Sequence, residues 1–219
     1  MNKRIISPSL LSANFTRLKE DIKKVEVLGV NRLHLDVMDG NFVPNLTFGP
    51  FIIKDLREIT NSHLETHLMI NNPGKYLNDY IEAGSDTLIF HYEASNNVRT
   101  DLEKIKNQNV KCGLAIKPET CHEVLEDFID ILDYILIMSV SPGFGGQGFI
   151  EETLLKMQKI NQLCIDKNRR DNIVIGVDGG VNLKTIDRVY ETGVDVTIVG
   201  SGLYKADNII ERFKELENH

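Results

Sequence analysis

The sequence has 219 residues, of which 42% are hydrophobic and 26% are charged, as in an ordinary globular protein. A disordered chain and a collagen-like repeat are thereby excluded, and the lack of any run of 18 or more apolar residues argues against membrane-spanning helices. The formal charge is −7 and the basic residues are scattered, so nucleic acid and anionic membranes are poor partners. We expect one folded domain covering residues 1–219.

The N-terminal segment and the cysteines indicate the cellular compartment. The first apolar run is short, Pro8 and several serines interrupt it, and no small-residue cleavage site follows it. Cys112, Cys121 and Cys164 form no CxxC motif, which fits a reducing environment. We therefore interpret the segment as a mature N-terminus and expect a cytoplasmic protein.

Short apolar segments rich in Val, Ile and Leu alternate with amphipathic segments along the whole chain. Such apolar segments are typical of strands that are buried on both faces of a parallel sheet. The segments between them have helical spacing of their apolar residues, as in residues 15–28 and 154–163. The predicted strands are 5–10, 32–37, 63–69, 87–91, 111–116, 134–138, 173–177 and 196–199.

Repeated βα units in a chain of this length predict the α/β class and a single (β/α)8 TIM barrel. The alternative is an open doubly wound sheet, which places a GxGxxG turn after its first strand. Residues 9–14 read SLLSAN at that point, so the barrel is favoured. The longest gap between strand starts, from strand six to strand seven, contains the glycine-rich segment 141–148.

Acidic and imidazole side chains lie at or near the C-terminal ends of three predicted strands. His34 and Asp36 are two residues apart and therefore point to one face of strand two. His67 lies in strand three, and Asp178 follows strand seven. Because the active site of a barrel lies at this end, we expect the four side chains to converge. Such a set suits a divalent metal ion of mixed N/O preference, namely Zn, Fe, Mn or Co.

Glycine-rich loops follow predicted strands six, seven and eight. Glycine lets the backbone approach a ligand closely, and this side of a barrel commonly binds phosphate through backbone N–H groups. The sequence therefore predicts a phosphate site, with candidate residues Gly143, Gly145, Gly146, Gly179, Gly180, Gly200, Ser201 and Gly202.

Other residues at the predicted strand ends leave two interpretations open. Met38, Met69 and Met138 either fill the core or line the pocket with soft apolar surface. His91 ends predicted strand four, and we interpret it as a structural residue.

Two carboxylates beside a metal and a phosphate anchor suit the removal of a proton next to a carbonyl group. The metal would stabilise the enediolate that forms when the proton leaves. If Asp36 and Asp178 act on opposite faces of the carbon, the configuration is inverted. These residues therefore predict an epimerase.

Eight short motifs are spread over essentially the whole chain. They are SPSLLS at 7–12, HLDVMDG at 34–40, FVPN at 42–45, HLM at 67–69, MSV at 138–140, PGFGGQ at 142–147, VDGGVN at 177–182 and GS at 200–201. These motifs resemble those of the ribulose-phosphate 3-epimerase family. The resemblance implies interconversion of D-ribulose 5-phosphate and D-xylulose 5-phosphate in the non-oxidative pentose phosphate pathway, by an isomerase that forms a homo-oligomer.

The resemblance also implies roles for individual residues. Asp36 and Asp178 match the acid/base pair and, with His34 and His67, the ligands of one divalent metal ion per subunit. Ser9 and His67 match substrate contacts. The matching sugar phosphate contacts are Gly143, Phe144, Gly145, Gly146, Gly179, Gly180, Gly200 and Ser201.

Two positions depart from the family pattern. Gly176 stands where an acidic residue commonly precedes VDGG, and Ser141 stands where Asn or Glu commonly precedes PGFGG. Loss of a carboxylate at Gly176 puts the support of the metal ligands in question. We expect Gly176→Glu to leave activity intact or to raise metal affinity.

Three other functions share part of this pattern of residues. An epimerase of a six-carbon sugar such as allulose 6-phosphate would share the same metal ligands. A phosphate-sugar decarboxylase would have a DxKxxD motif, but Met38 stands at the position of the lysine. A non-catalytic phosphosugar-binding barrel would have no need of both carboxylates.

Overall fold

Parallel strands lie side by side in the computed structural model, which describes residues 4–219. All eight predicted strands are confirmed, and their order is that of a TIM barrel, β1-β8-β7-β6-β5-β4-β3-β2. The first three residues of the predicted cytoplasmic N-terminal segment lie outside the described residues. The strands are β1 Ile5–Pro8, β2 Arg32–Met38, β3 His63–Met69, β4 Thr87–His91, β5 Lys111–Ile116, β6 Tyr134–Met138, β7 Val174–Asp178 and β8 Val196–Val199.

Four strand boundaries differ from the predicted ones. The first strand ends at Pro8 rather than at residue 10, because Leu10–Ser12 turns into a short 3₁₀ helix. The second continues to Met38, which pairs with Met69 of β3. The seventh begins at Val174 rather than at residue 173, and it continues to Asp178, which pairs with Met138 of β6 and therefore belongs to the strand itself.

The sheet closes between its first and second strands. Ser9, which follows β1, forms a parallel bridge with His34 of β2. An open doubly wound sheet has no such contact, so the closure confirms the barrel. It also brings Ser9 beside the predicted ligands of β2.

Helices cover the outside of the barrel and follow the strands in sequence. After β5 the connection is a 3₁₀ helix, His122–Phe128, in place of an α-helix. No helix among residues 4–219 is long and apolar enough to cross a bilayer. The α-helices are α1 Leu18–Glu26, α2 Pro50–Ile59, α3 Leu77–Glu82, α4 Val98–Lys106, α5 Thr153–Asp166, α6 Ile186–Glu191, α7 Ser201–Tyr204 and α8 Ile209–Glu217.

Alternation along each strand divides the core into two layers. In β2, Leu33, Leu35 and Val37 face the surrounding helices, whereas His34 and Asp36 face the interior of the barrel. The interior is therefore where polar residues of the strands meet. Apolar residues fill it beneath and beside them, namely Ile89, Ala115, Tyr134, Leu136, Met138, Val140, Val196 and Ile198.

Candidate active site

The four predicted metal ligands converge at the C-terminal end of the barrel. His34, Asp36, His67 and Asp178 each offer one nitrogen or oxygen atom, and these atoms lie within 4.8 Å of one another. The sheet register explains this, because Asp36 pairs directly with His67 and His34 lies two residues earlier on the same face. Asp178 reaches the group from β7 across the barrel.

The distances within this cluster are those of atoms arranged around a common point. Nε2 of His34 lies 3.3 Å from Nδ1 of His67 and 3.3 Å from Oδ1 of Asp36. Nδ1 of His67 also lies 3.3 Å from that carboxylate oxygen. Oδ2 of Asp178 lies 3.8 Å from His67 Nδ1 and 4.0 Å from His34 Nε2.

The donor set fits a divalent metal ion. Nδ1 of His34 lies 2.7 Å from Oε1 of Glu65, whose pKa is lowered because its hydrogen bond to His34 and the charges of His34 and Arg32 outweigh its burial. An ionised carboxylate only accepts hydrogen bonds, so the Nδ1 proton of His34 points to Glu65. When the ring is neutral, as it is in a metal ligand, the lone pair of Nε2 therefore faces the cluster. Two imidazole nitrogens and two carboxylate oxygens are the ligand types of Zn, Fe, Mn and Co sites.

The electrostatics of the cluster favour a positive charge. Burial by itself would lower the pKa of His34, but Asp36 and Glu65 outweigh it and raise that pKa well above its ordinary value. Burial raises the pKa of Asp36, yet His34 and His67 reverse the effect and lower it. For Asp178, burial and the neighbouring charge of Asp36 together raise the pKa to about 7. The two carboxylates thus differ in proton affinity, as acid/base pairs do.

A cavity of about 330 Å³ lies directly above the cluster. Asp36 and Asp178 line it, whereas His34 and His67 have no exposed surface and lie beneath its wall. Ser9 lines it too, and its hydroxyl donates a hydrogen bond to Oδ2 of Asp36 at 2.6 Å. The two carboxylates are therefore the cluster groups that reach a molecule in the cavity.

The methionines of the strand ends take both of the roles that were left open. Met38, Met69 and Met138 are buried in the core, and each also lines the cavity. They place apolar surface beside the two carboxylates in the cavity.

The glycine-rich loops form the opposite wall of the cavity. Every predicted phosphate-site residue lines it, namely Gly143, Phe144, Gly145, Gly146, Gly179, Gly180, Gly200, Ser201 and Gly202. Within residues 4–219, the backbone N–H groups of Gly146, Gly180 and Ser201 donate to no other backbone group. These donors are therefore available to an anionic ligand.

Two charged residues of the site were missed by the sequence reasoning. Glu65, which contacts His34, lies in the middle of β3. Its position two residues before His67, on the same face of the strand, is the signal in the sequence that would have indicated its role. Lys205 lines the cavity, and its Nζ atom lies 3.8 Å from the place where a Cβ on Gly146 would stand. It follows α7 by one residue, where no motif marks it.

The comparison with known proteins agrees with this geometry. Residues 5–204 match the model of the ribulose-phosphate 3 epimerase family. The chain belongs to this family. A ribulose-phosphate 3-epimerase from Bacillus subtilis is 42% identical over 91% of both chains. One from Synechocystis is 41% identical over 100% of this chain and 95% of its own length.

Solved structures of other proteins share the fold. A 3-hexulose-6-phosphate synthase from Salmonella typhimurium superimposes with a TM-score of 0.72 over 98% of this chain and 97% of its own. Its sequence identity is 15%, so the likeness concerns the barrel alone.

The departure of this chain from the family pattern at Gly176 has a steric reason. A Cβ on Gly176 would lie 2.1 Å from the hydroxyl oxygen of Tyr134, whose ring is buried inside the barrel. The tyrosine occupies the space that a larger side chain would need, so the structure argues against a harmless Gly176→Glu substitution. Ser141, the second departure, lies on an exposed loop outside the cavity lining.

Proposed function

We propose that this chain is a metal-dependent epimerase that interconverts D-ribulose 5-phosphate and D-xylulose 5-phosphate by inversion at C3. The observation that carries the proposal is the position of Asp36 and Asp178, which enter one cavity from β2 and β7, two strands that are not neighbours in the barrel. Relatives about 40% identical over nearly the whole chain carry the name ribulose-phosphate 3-epimerase. Both findings support the same reaction.

The two aspartates exchange a proton with C3 of the substrate. One carboxylate removes the C3 proton, and the other returns a proton to the opposite face of the carbon, which inverts its configuration. Ser9 holds Oδ2 of Asp36 in place through its 2.6 Å hydrogen bond. Met38, Met69 and Met138 line the cavity with apolar surface beside the two carboxylates.

His34, Asp36, His67 and Asp178 would hold one divalent ion per subunit, and Zn, Fe, Mn and Co all suit this ligand set. When bound, the ion supplies positive charge that stabilises the enediolate formed on loss of the proton. The protein prepares the site by keeping both imidazoles buried and by directing the His34 proton to Glu65.

The glycine-rich wall of the cavity would bind the phosphate group. The free N–H groups of Gly146, Gly180 and Ser201 offer hydrogen bonds, and Lys205 adds a positive charge beside Gly146. A Cβ on Gly200 would lie 2.8 Å from the hydroxyl oxygen of Ser12, so glycine there keeps the backbone open to a ligand. The homo-oligomer and the cytoplasmic location remain predictions.

Proton NMR in D₂O tests the function directly. The metal-loaded protein is mixed with D-ribulose 5-phosphate, and xylulose 5-phosphate is expected to appear with deuterium at C3. Asp178→Asn serves as the inactive control. If neither product nor exchange is seen, D-allulose 6-phosphate is added. Turnover of that sugar alone would establish the six-carbon substrate, and binding without exchange would establish a phosphosugar-binding barrel.

A further inference from the structure

His91, which the sequence analysis interpreted as structural, contacts a metal ligand. It ends β4, it has no exposed surface, and its Nε2 atom lies 2.9 Å from Nε2 of His67. The other ring nitrogen of His67, Nδ1, is the one that faces Asp36 and His34. The contact with His91 is therefore on the side of the His67 ring that points away from the cluster.

Glu93 lies behind His91 and accepts hydrogen bonds on both oxygens. Oε2 lies 3.2 Å from Nδ1 of His91. Oε1 accepts from the backbone N–H of Lys117 at 2.9 Å and from the hydroxyl of Thr120. Burial would raise the pKa of Glu93, but these hydrogen bonds outweigh it and lower the pKa to about 2. At neutral pH the carboxylate is ionised and only accepts protons in hydrogen bonds.

The ionised state of Glu93 determines which ring nitrogens of His91 and His67 carry protons. Because Glu93 only accepts, the proton of neutral His91 lies on Nδ1, and its Nε2 carries a lone pair. That lone pair accepts a hydrogen bond from Nε2–H of His67. Nδ1 of His67 is then left without a proton and offers its lone pair to the cluster.

We infer that His91 and Glu93 are positioning residues that fix the tautomer and ring orientation of His67 for metal binding. The inference rests on the proposed metal site. Glu93 fixes the tautomer of His67 through His91, whereas Glu65 fixes the tautomer of His34 by direct contact. In metal sites, such hydrogen bonds to the far nitrogen of a histidine ligand set the tautomer and raise its basicity.

The surroundings of His91 protect this chain of hydrogen bonds from water. The ring of Phe42 packs against His91 with 4.8 Å between the centroids. The amine of Lys117 lies 4.4 Å from the centroid of the Phe42 ring. Phe42, in the loop after β2, therefore covers the imidazole, and Lys117, in the loop after β5, contacts Phe42.

Metal affinity measured without substrate tests the inference. His91→Phe keeps the ring but removes the acceptor, and we expect it to weaken Co²⁺ binding by about 10- to 100-fold. We also expect a changed visible spectrum of the Co²⁺ form, since the orientation of a ligand changes. His91→Gln places an amide oxygen where Nε2 accepts, and it should restore most of the affinity. Competition with a chelator of known affinity gives the dissociation constants.

His63→Phe is the matched control. His63 lies on the same strand as His67 but at the opposite end of the barrel, where its Nε2 lies 2.7 Å from the hydroxyl oxygen of Thr87. This variant should bind Co²⁺ as the parent does. Circular dichroism establishes that each variant is folded.

The outcomes separate this inference from the proposed function. A parent protein that binds no divalent ion would overturn the metal site and the inference with it. The parent protein could instead bind Co²⁺, and the His91→Phe variant could bind it with a dissociation constant within twofold and the same visible spectrum. That result would overturn the inference but not the metal site. If His91→Phe does not fold, Glu93→Gln decides. Its amide no longer forces the His91 proton onto Nδ1, so the affinity should fall several-fold, and an unchanged affinity would contradict the inference.

Discussion

The two walls of the cavity are built from different parts of the polypeptide. On the side of β2, β3 and β7, the working atoms belong to side chains. Three of the four are held by a further buried group, since Glu65 contacts His34, Ser9 contacts Asp36 and His91 contacts His67. On the side of the loops after β6, β7 and β8, the working atoms are backbone N–H groups, and those of Gly146 and Gly180 have no side chain to cover them. The first wall should therefore be sensitive to the chemistry of a side chain, and the second to the addition of any side chain.

The largest effect should come from removing a carboxylate of the first wall. Asp178→Asn keeps the shape of the side chain but cannot remove a proton, and we expect kcat to fall by about 10³-fold or more. Steady-state assay with metal analysis of the same sample separates the loss of the base from the loss of the ion. The exposed Asp187→Asn is the control. A rate near that of the parent would refute the two-base assignment.

The close packing of Tyr134 against Gly176 inside the barrel is tested by substituting both residues. Gly176→Glu should lower the free energy of unfolding by about 3 kcal/mol, because the buried phenol stands 2.1 Å from the new Cβ. Chemical denaturation measures the change. Tyr134→Leu opens space, so the double variant should be less destabilised than the sum of the single variants. Simple additivity would show that the two side chains do not compete for space.

A single methyl group should impair the second wall. Gly180 has φ +66°, and a Cβ there would lie 2.6 Å from the backbone nitrogen of Phe149. Gly180→Ala should cost about 2 kcal/mol of stability and raise KM about tenfold, because the loop must shift. Gly148→Ala is the control, since nothing lies within 4 Å of its Cβ position. Equal behaviour of the two variants would remove the argument for a backbone site.

The smallest effect should come from the side chain that contributes charge to the second wall. Lys205→Ala should raise KM for the sugar phosphate by up to about tenfold and leave kcat nearly unchanged, because an exposed lysine adds attraction without touching the reacting carbon. Lys184→Ala, also exposed, controls for net charge. The effect should shrink at high salt. A loss confined to kcat would place Lys205 in the chemistry instead.

The candidate ligands were predictable because their pattern is local. Strand alternation places His34 and Asp36 on one face, and the position of a strand end in a barrel defines where the site must be. The glycine loops were predictable for the same reason. The supporting residues were not. Glu65 is 31 residues from His34, and His91 is 24 residues from His67, so only the sheet register brings each pair together.

The amino-acid sequence by itself determined the alternation of strands and helices, the barrel class and the residues at the strand ends, since periodicity along the chain is enough for each. The tertiary structure alone decided the closure of the barrel at Ser9 and His34, the exclusion of a side chain at Gly176 by Tyr134, and the chain from Glu93 through His91 to His67. These contacts join atoms on different strands, and their distances depend on strand register and side-chain orientation, which no short stretch of sequence contains.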